Sequence, residues 1–237
     1  MGFIKTVDVV IPGYNEEKDL ARCIATLWDF LNEHLPYQWQ IVIADNGSTD
    51  KTLAVAQALS QQYPRVTYVH LDLKGRGRAL RKAWLESKAD AVAYMDVDLS
   101  TKLTAFPLLL KALDEGYGVA IGSRLIGGSK VGRGLKREIT SRTYNLLIRL
   151  MFCSSFHDAQ CGFKAVRRDV VQEIVPFIKD QAWFFDTELL LLAQKKGYRI
   201  KEVPVEWVDD AGTTVRIAKT AWEDVKGLFR VRFKPLF

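Results

Sequence analysis

Tyr94-Met95-Asp96-Val97-Asp98-Leu99-Ser100 carries two carboxylates, two residues apart, after the short apolar run of residues 91–95. Side chains alternate along a strand, so a strand ending here would aim Asp96 and Asp98 to one side. Oxygens of both could hold one hard divalent cation and leave open positions for substrate phosphates. The competing reading is two solvated acids at a strand end, because an Asp-x-Asp pair is a short signal.

The elements that must position these acids follow from hydrophobic patterning. Residues 7–12, 40–45, 66–71, 91–95 and 119–122 read as strands. Between them run helices: one opened by Asn15-Glu16-Glu17 with Leu20, Cys23, Ile24, Leu27 and Leu31 on one face, one capped by Asp50 and running to about residue 63, one over 79–87 and one over 106–115. Strands separated by helices imply parallel pairing with right-handed crossovers. Further on, residues 127–134 read as a loop, 138–152 as a helix, 155–167 as irregular with short strands, 186–196 as a helix and 200–208 as one strand. The expectation is an α/β fold, a single Rossmann-like domain whose mostly parallel central sheet is flanked by helices. It spans residues 1–214, followed by a basic amphipathic helix over 215–237. In open parallel sheets ligands bind beyond the carboxyl ends of the strands. Tyr14-Asn15-Glu16, Asp45-Asn46-Gly47 and Asp96-Val97-Asp98 all fall there and read together as one nucleotide pocket.

Composition narrows the classes. The chain has 237 residues, 48% of them hydrophobic, and a formal net charge of +6. Basic residues gather at 74–82, 124–149 and after 216, which suits anionic partners such as phosphates, an acidic membrane surface or nucleic acid. No apolar run approaches the ~18 residues of a membrane-spanning helix, and the first residues lack a signal-peptide core. Cys23, Cys153 and Cys161 are an odd count without metal-ligand spacing, and His34, His70 and His157 are scattered. Reduced thiols fit a cytoplasmic protein.

Several motifs, in order, carry a resemblance. Pro12-Gly13-Tyr14-Asn15-Glu16, Asp45-Asn46-Gly47-Ser48-Thr49-Asp50, Gly75-Arg76-Gly77-Arg78-Ala79, Met95-Asp96-Val97-Asp98 and Gly122-Ser123-Arg124 resemble a family 2 glycosyltransferase with the GT-A fold. Asp158-Ala159-Gln160-Cys161-Gly162-Phe163-Lys164, Phe185-Asp186-Thr187-Glu188-Leu189-Leu190 and Glu202-Val203-Pro204-Val205-Glu206-Trp207 are similar to the dolichyl- and polyprenyl-phosphate sugar synthases, the glucosyltransferase branch first and the mannosyltransferase branch next.

The resemblance implies a function: inverting, metal-dependent transfer of a hexose from a nucleotide sugar to a polyprenyl or dolichyl phosphate. UDP-glucose is the favoured donor, with GDP-mannose or a soluble acceptor as the alternatives. It also implies roles. Asp45 would hydrogen-bond the base, with Pro12, Tyr14, Glu16, Asn46, Lys74 and Gly75 on the nucleotide-sugar side. Asp96 would face the sugar, and Asp98, with Asp96, would hold Mg²⁺ or Mn²⁺ on the diphosphate. Arg124, Arg137 and Ser141 match positions that grip the acceptor phosphate, and Arg137 and Ser141, four apart, share a helix face. Gln160, Asp186 and Glu188 are further candidates. Asp186 and Glu188 stand where related enzymes keep a base, or they cap a helix N-terminus. A lipid phosphate is already anionic near neutral pH, so no essential base is expected. Asn46 stands where a second aspartate is frequent, which leaves the nucleotide open.

A dinucleotide-binding oxidoreductase is the first rival, through Gly75-Arg76-Gly77, but Leu80 occupies the third glycine position. A nucleic-acid binder would leave the acidic cluster unexplained. The last helix, with Lys219, Lys226, Arg230, Arg232 and Lys234 beside Trp222, Phe229 and Phe233, either docks on an anionic bilayer or packs on the core. Attachment at the cytoplasmic membrane face could instead come from a membrane-embedded partner subunit.

Overall fold

The computed structural model describes residues 4–132, 134–208 and 217–233. Strand β1 (Thr6–Gly13) is followed by α1 (Leu20–His34), β2 (Gln38–Asn46), α2 (Thr52–Gln62), β3 (Val66–Leu71), α3 (Arg76–Glu86) and β4 (Ala91–Met95). Helix α4 (Phe106–Asp114) then leads to β5 (Val119–Ser123), β6 (Lys130–Gly132) and α5 (Leu135–Phe152). The chain continues through β7 (Phe163–Arg167), α6 (Arg168–Ile174), α7 (Phe185–Lys195), β8 (Ile200–Pro204), β9 (Glu206–Val208) and α8 (Ile217–Phe233). The seven-stranded sheet has the order β3-β2-β1-β4-β7-β5-β8.

Every pairing is parallel except the two made by β7, which runs antiparallel to both β4 and β5. The sequence reading of a mostly parallel sheet holds, but it did not say which strand would be reversed. A buried run such as Phe163-Lys164-Ala165-Val166 has the same appearance in either direction. The reversal matters for the site, because it brings the start of β7 to the edge where β1, β2, β3, β4 and β5 end.

Two apolar layers sandwich the sheet. Val9, Ile11, Ile41, Ile43, Ala93 and Met95 pack under α1, α2 and α4. Val10, Val42, Tyr94, Val119 and Ile121 pack against α3, α6 and α7. Strands covered on both faces read as continuous apolar runs, as β1, β2 and β4 do.

Five further local expectations are corrected. Helix α1 begins at Leu20, five residues after Asn15, because Glu16 O accepts the N–H groups of Asp19 and Leu20 in a preceding turn. Helix α3 begins at Arg76 instead of residue 79. The stretch 127–134 contains β6, and the strand expected over 200–208 splits at Val205 into β8 and β9, the latter pairing parallel with β6 in a separate ribbon. Val205 makes the turn, donating its N–H to Ser123 O and accepting from Lys130 N. Helix α5 begins at Leu135, three residues before the expected start.

Helix α8 packs on the core along one face and leaves another exposed. Asp224, Leu228 and Val231 are buried against the body, while Trp222, Phe229 and Phe233 are exposed at 61%, 55% and 72%. Gly227 permits the close approach, since a Cβ there would lie 2.5 Å from the Phe184 ring. Residues 215, 216 and 234, and the Lys219 side chain, lie outside the described parts.

Candidate active site

Strand β4 stops at Met95, so Asp96 and Asp98 sit in the turn beyond it and are not successive same-face strand positions. The turn is closed by Leu99 N donating to Asp96 O at 3.1 Å, with Leu99 in the left-handed region at φ 48°. Asn15, between Tyr14 and Glu16, is left-handed too at φ 59°. Non-glycine residues held in this region cost about 1 kcal/mol or more and cluster where function fixes the backbone.

The two carboxylates have separate surroundings. Asp98 is exposed, and its Oδ1 accepts the Ser100 N–H at 2.9 Å. Asp96 Oδ1 takes Arg76 Nη2 at 2.6 Å. Its other oxygen lies against the start of β7: a Cβ on Gly162 would stand 1.8 Å from Asp96 Oδ2. Only glycine leaves that carboxylate its place. Across the rim the Glu16 carboxyl is pushed up to about 7, first by burial and then by Asp19, Asp98, Asp50 and Asp96. Glu16 N–H donates to Thr52 Oγ1 at 2.7 Å, and Asp50 Oδ1 takes the Thr52 N–H at 2.9 Å, so the β1 and β2 loops are laced together.

Asp19, Asp50, Asp96 and Asp98 lie close enough to Glu16 that each adds to the rise that burial begins, and the Gly162 cradle holds Asp96 in this group of carboxylates. Asp98, with Asp96, therefore fits a hard cation. Among the described residues no group of three or more His, Cys, Asp or Glu forms a ready-made cage. An ion here would draw its remaining oxygens from a bound diphosphate and water, as Mg²⁺-type ions commonly do.

Arg76 is a residue that sequence reading passed over. Besides Asp96 it reaches Asp186, Nη1 to Oδ2 at 2.6 Å. Asp186 also accepts from Lys164 Nζ at 2.9 Å and from the Tyr94 hydroxyl. Register explains the meeting, because Tyr94 of β4 pairs with Lys164 of β7. Lys164 is fully buried, and its Nζ donates to Cys161 O at 2.6 Å. Burial alone would raise the Asp186 pKa, but Lys164 and Arg76 outweigh it and hold the carboxyl below its ordinary value. A carboxylate so stabilised is a poor proton acceptor.

Glu188 lies apart from the Arg76–Asp96–Asp186 cluster among the described contacts. It is buried between α7 and α8, with Oε2 bound by Arg230 Nη2 at 2.6 Å and by the Asp180 N–H at 2.9 Å. Arg124 is also placed differently from expectation. Its Nε and Nη2 grip buried Asp158 at 2.8 and 2.9 Å, so it braces the 158–162 loop instead of reaching out for an anion. Gln160 Nε2 donates to Asp224 Oδ2 at 2.8 Å and ties that loop to α8. Ser141 Oγ on α5 is buried without a hydrogen-bond partner among the described residues. Arg137 sits one turn before it.

On the nucleotide side, Pro12 is buried at the end of β1, and Lys74 Nζ lies 3.4 Å from the centre of the Tyr14 ring. Three amides of the glycine loop are braced by the body of the protein. Gly75 N–H donates to Asn46 Oδ1, while those of Gly77 and Arg78 donate to Ala182 O and Gln181 O. Asp45 is buried beside His70.

A family model described as "Glycosyl transferase family 2" matches residues 8–175. The chain belongs to that family. It is 34% identical over 216 residues to "Glycosyltransferase AglD" of Haloferax volcanii, covering 90% of this chain but 35% of AglD. It is 27% identical to the "Dolichyl-phosphate beta-glucosyltransferase" of Saccharomyces cerevisiae, covering 97% of this chain and 75% of that protein. Among solved structures, the UDP complex of glucosyl-3-phosphoglycerate synthase from Mycobacterium tuberculosis superposes with a TM-score of 0.73 at 19% identity, covering 98% of this chain and 81% of that one. Another crystal of that protein contains Mn²⁺, UDP and phosphoglyceric acid. The structural likeness fixes the fold as GT-A-like, with its mostly parallel sheet between helices.

Proposed function

We propose that this chain transfers a hexose from a nucleotide sugar, UDP-glucose first, to a polyprenyl or dolichyl phosphate. The observation that carries the reading is the crowd of acids at the rim, Glu16, Asp96 and Asp98, in a pocket that must accept an anionic diphosphate. The names of the relatives support the acceptor class. A divalent ion bound there, Mn²⁺ or Mg²⁺, would neutralise charge on the departing diphosphate.

The chain's own residues do the rest. Asp98 and Asp96 would hold the ion, with Arg76 fixing Asp96 in its place. Tyr14, Lys74 and Asp45 border the nucleoside. Arg137 and Ser141 face the acceptor phosphate, whose oxygen attacks the anomeric carbon as the bond to the diphosphate breaks. A single in-line displacement inverts that carbon. The acceptor arrives as an anion, so Asp186 is not needed as a base, in keeping with its two cationic partners.

A lipid acceptor calls for a surface that can meet a bilayer. Helix α5 exposes Ile139, Leu146, Leu147 and Leu150, at positions that share one face. Helix α8 exposes Trp222, Phe229 and Phe233 with Lys226 and Arg232 beside them. Aromatic and basic residues together suit an anionic lipid surface. No helix among the described residues is long and apolar enough to cross a membrane.

The test is incubation with polyprenyl phosphate, Mg²⁺ or Mn²⁺, and radiolabelled UDP-glucose, GDP-mannose or UDP-N-acetylglucosamine in parallel. Label from UDP-glucose should enter the organic phase, and Arg137→Ala should raise the KM for the lipid more than that for the donor. Failure of every donor to label the lipid defeats the proposal.

A further inference from the structure

The loop over residues 158–162 ends on the glycine that cradles Asp96, and contacts from several elements hold it. Arg124, just after β5, grips Asp158 with Nε and Nη2 at 2.8 and 2.9 Å. Asn145 Oδ1 of α5 takes the Ala159 N–H at 2.9 Å. Lys164 Nζ of β7 holds Cys161 O at 2.6 Å. A further contact comes from α8, 64 positions along the chain, where Asp224 Oδ2 accepts from Gln160 Nε2 at 2.8 Å.

Asp224 is a poor choice for packing alone. It is 2% exposed, on the same face of α8 as buried Leu228 and Val231. Its other oxygen, Oδ1, is buried without a hydrogen-bond partner among the described residues. A buried carboxyl with one oxygen unpaired is less favourable there than an apolar side chain of similar size. What the acid adds is a directed bond, and that bond ends on the loop. The cradle is tight enough for the loop's position to matter. A Cβ on Gly162 would stand 1.8 Å from Asp96 Oδ2, so no carbon fits between them. Gln160 is two residues from Gly162, and a shift at one carries into the backbone of the other.

We infer that Asp224 is a positioning residue for the transfer reaction: through Gln160 it fixes the 158–162 loop, and with it the place of Asp96. Helix α8 thereby becomes part of what shapes the rim, although its own residues act only through that loop. This inference rests on the reading of Asp96 as part of the nucleotide-sugar site and adds to it a residue of the last helix.

Two readouts on the full chain test it: hydrogen exchange of the 158–162 amides, and initial rates of transfer from radiolabelled UDP-glucose to polyprenyl phosphate with Mn²⁺. The proteins are wild type, Gln160→Leu, Asp224→Leu, the double leucine variant and Asp224→Asn. Asparagine keeps an acceptor oxygen for Gln160 Nε2. Replacing both partners of a buried bond by apolar groups strands neither, so the double variant serves if a single one does not fold. The leucine variants should exchange the loop amides about ten-fold faster, the worth of one hydrogen bond. Their kcat should fall about ten-fold or more, and by more than the donor KM rises. The double variant should lose no more than either single one, because both residues act through one bond. Asp224→Asn should match wild type in both readouts. A role in packing alone would speed exchange in α8 and leave the loop amides and kcat at wild-type values, and that result overturns the inference. Losses that add in the double variant would give the two residues separate roles and overturn it as well. A wild type that transfers no label defeats the functional reading; the exchange data then decide by themselves whether Asp224 holds the loop.

Discussion

Asp186→Asn separates two meanings of the acid at the head of α7. Its side chain is 3% exposed and paired with Lys164 and Arg76, the former itself 0% exposed. The substitution keeps the shape and removes the charge. Lys164 is then left with the Tyr94 hydroxyl and Cys161 O. Breaking one side of a buried ion pair costs about 3–5 kcal/mol, mostly because the remaining charge is uncompensated. For a chain of 237 residues, each kcal/mol moves the melting point by roughly 2–4 °C, so a fall of about 6–20 °C is expected. Adding Lys164→Met removes the stranded charge and should recover about 2 kcal/mol or more. Urea unfolding of the single and double variants, followed by tryptophan fluorescence, reads these values. A proton acceptor would behave differently: stability within about 1 kcal/mol of wild type, with kcat lowered about 100-fold or more. A stable, inactive Asp186→Asn would refute the structural reasoning.

Gly162→Ala should push Asp96 from its cradle, because the new Cβ would lie 1.8 Å from Oδ2; transfer should fall about 100-fold, read as initial rate, while cooperative unfolding persists. The Asp224 carboxyl is raised to about 7 by burial, then by Asp180, while the Gln160 hydrogen bond opposes the rise. A folded pKa above the unfolded value favours the protonated, docked form, so this stabilisation is complete below about pH 4 and is lost as pH rises through about 7. Hydrogen exchange of α8 amides should therefore be faster, relative to the core, at pH 8.5 than at pH 5.5, about the values that bracket the transition, and Asp224→Asn should flatten the difference. Removing the exposed aromatics with Trp222→Ser and Phe229→Ser should reduce sedimentation with anionic vesicles while donor binding is kept; unchanged sedimentation would count against α8 as a docking face.

Much of the frame was legible because burial on both faces writes itself as uninterrupted apolar residues. Residues 91–95 were bounded correctly for that reason, and 66–71 likewise through flanking turn residues. Three-residue strands such as Lys130–Gly132 leave no periodic trace, and direction leaves none, so the reversal of β7 was invisible. The site residues were recognisable by type, yet their partners were not. Arg76 and Asp186 are 110 positions apart, and Arg124 and Asp158 are 34 apart. Asp186 and Glu188 look like a pair in sequence, but two residues on a helix turn through about 200°. One consequently enters the Arg76–Lys164 cluster, and the other meets Arg230. His70 looked scattered because its partner, Asp45, lies across a strand pair.

The central claim is that this rim of acids receives a nucleoside diphosphate with a divalent ion. A crystal grown with Mn²⁺ and UDP, measured at the manganese absorption edge, addresses it most directly. An anomalous peak beside Asp98, with the diphosphate on it and the uracil at Asp45, is the predicted result. Clear UDP density elsewhere on the molecule, with the rim empty, would contradict the account.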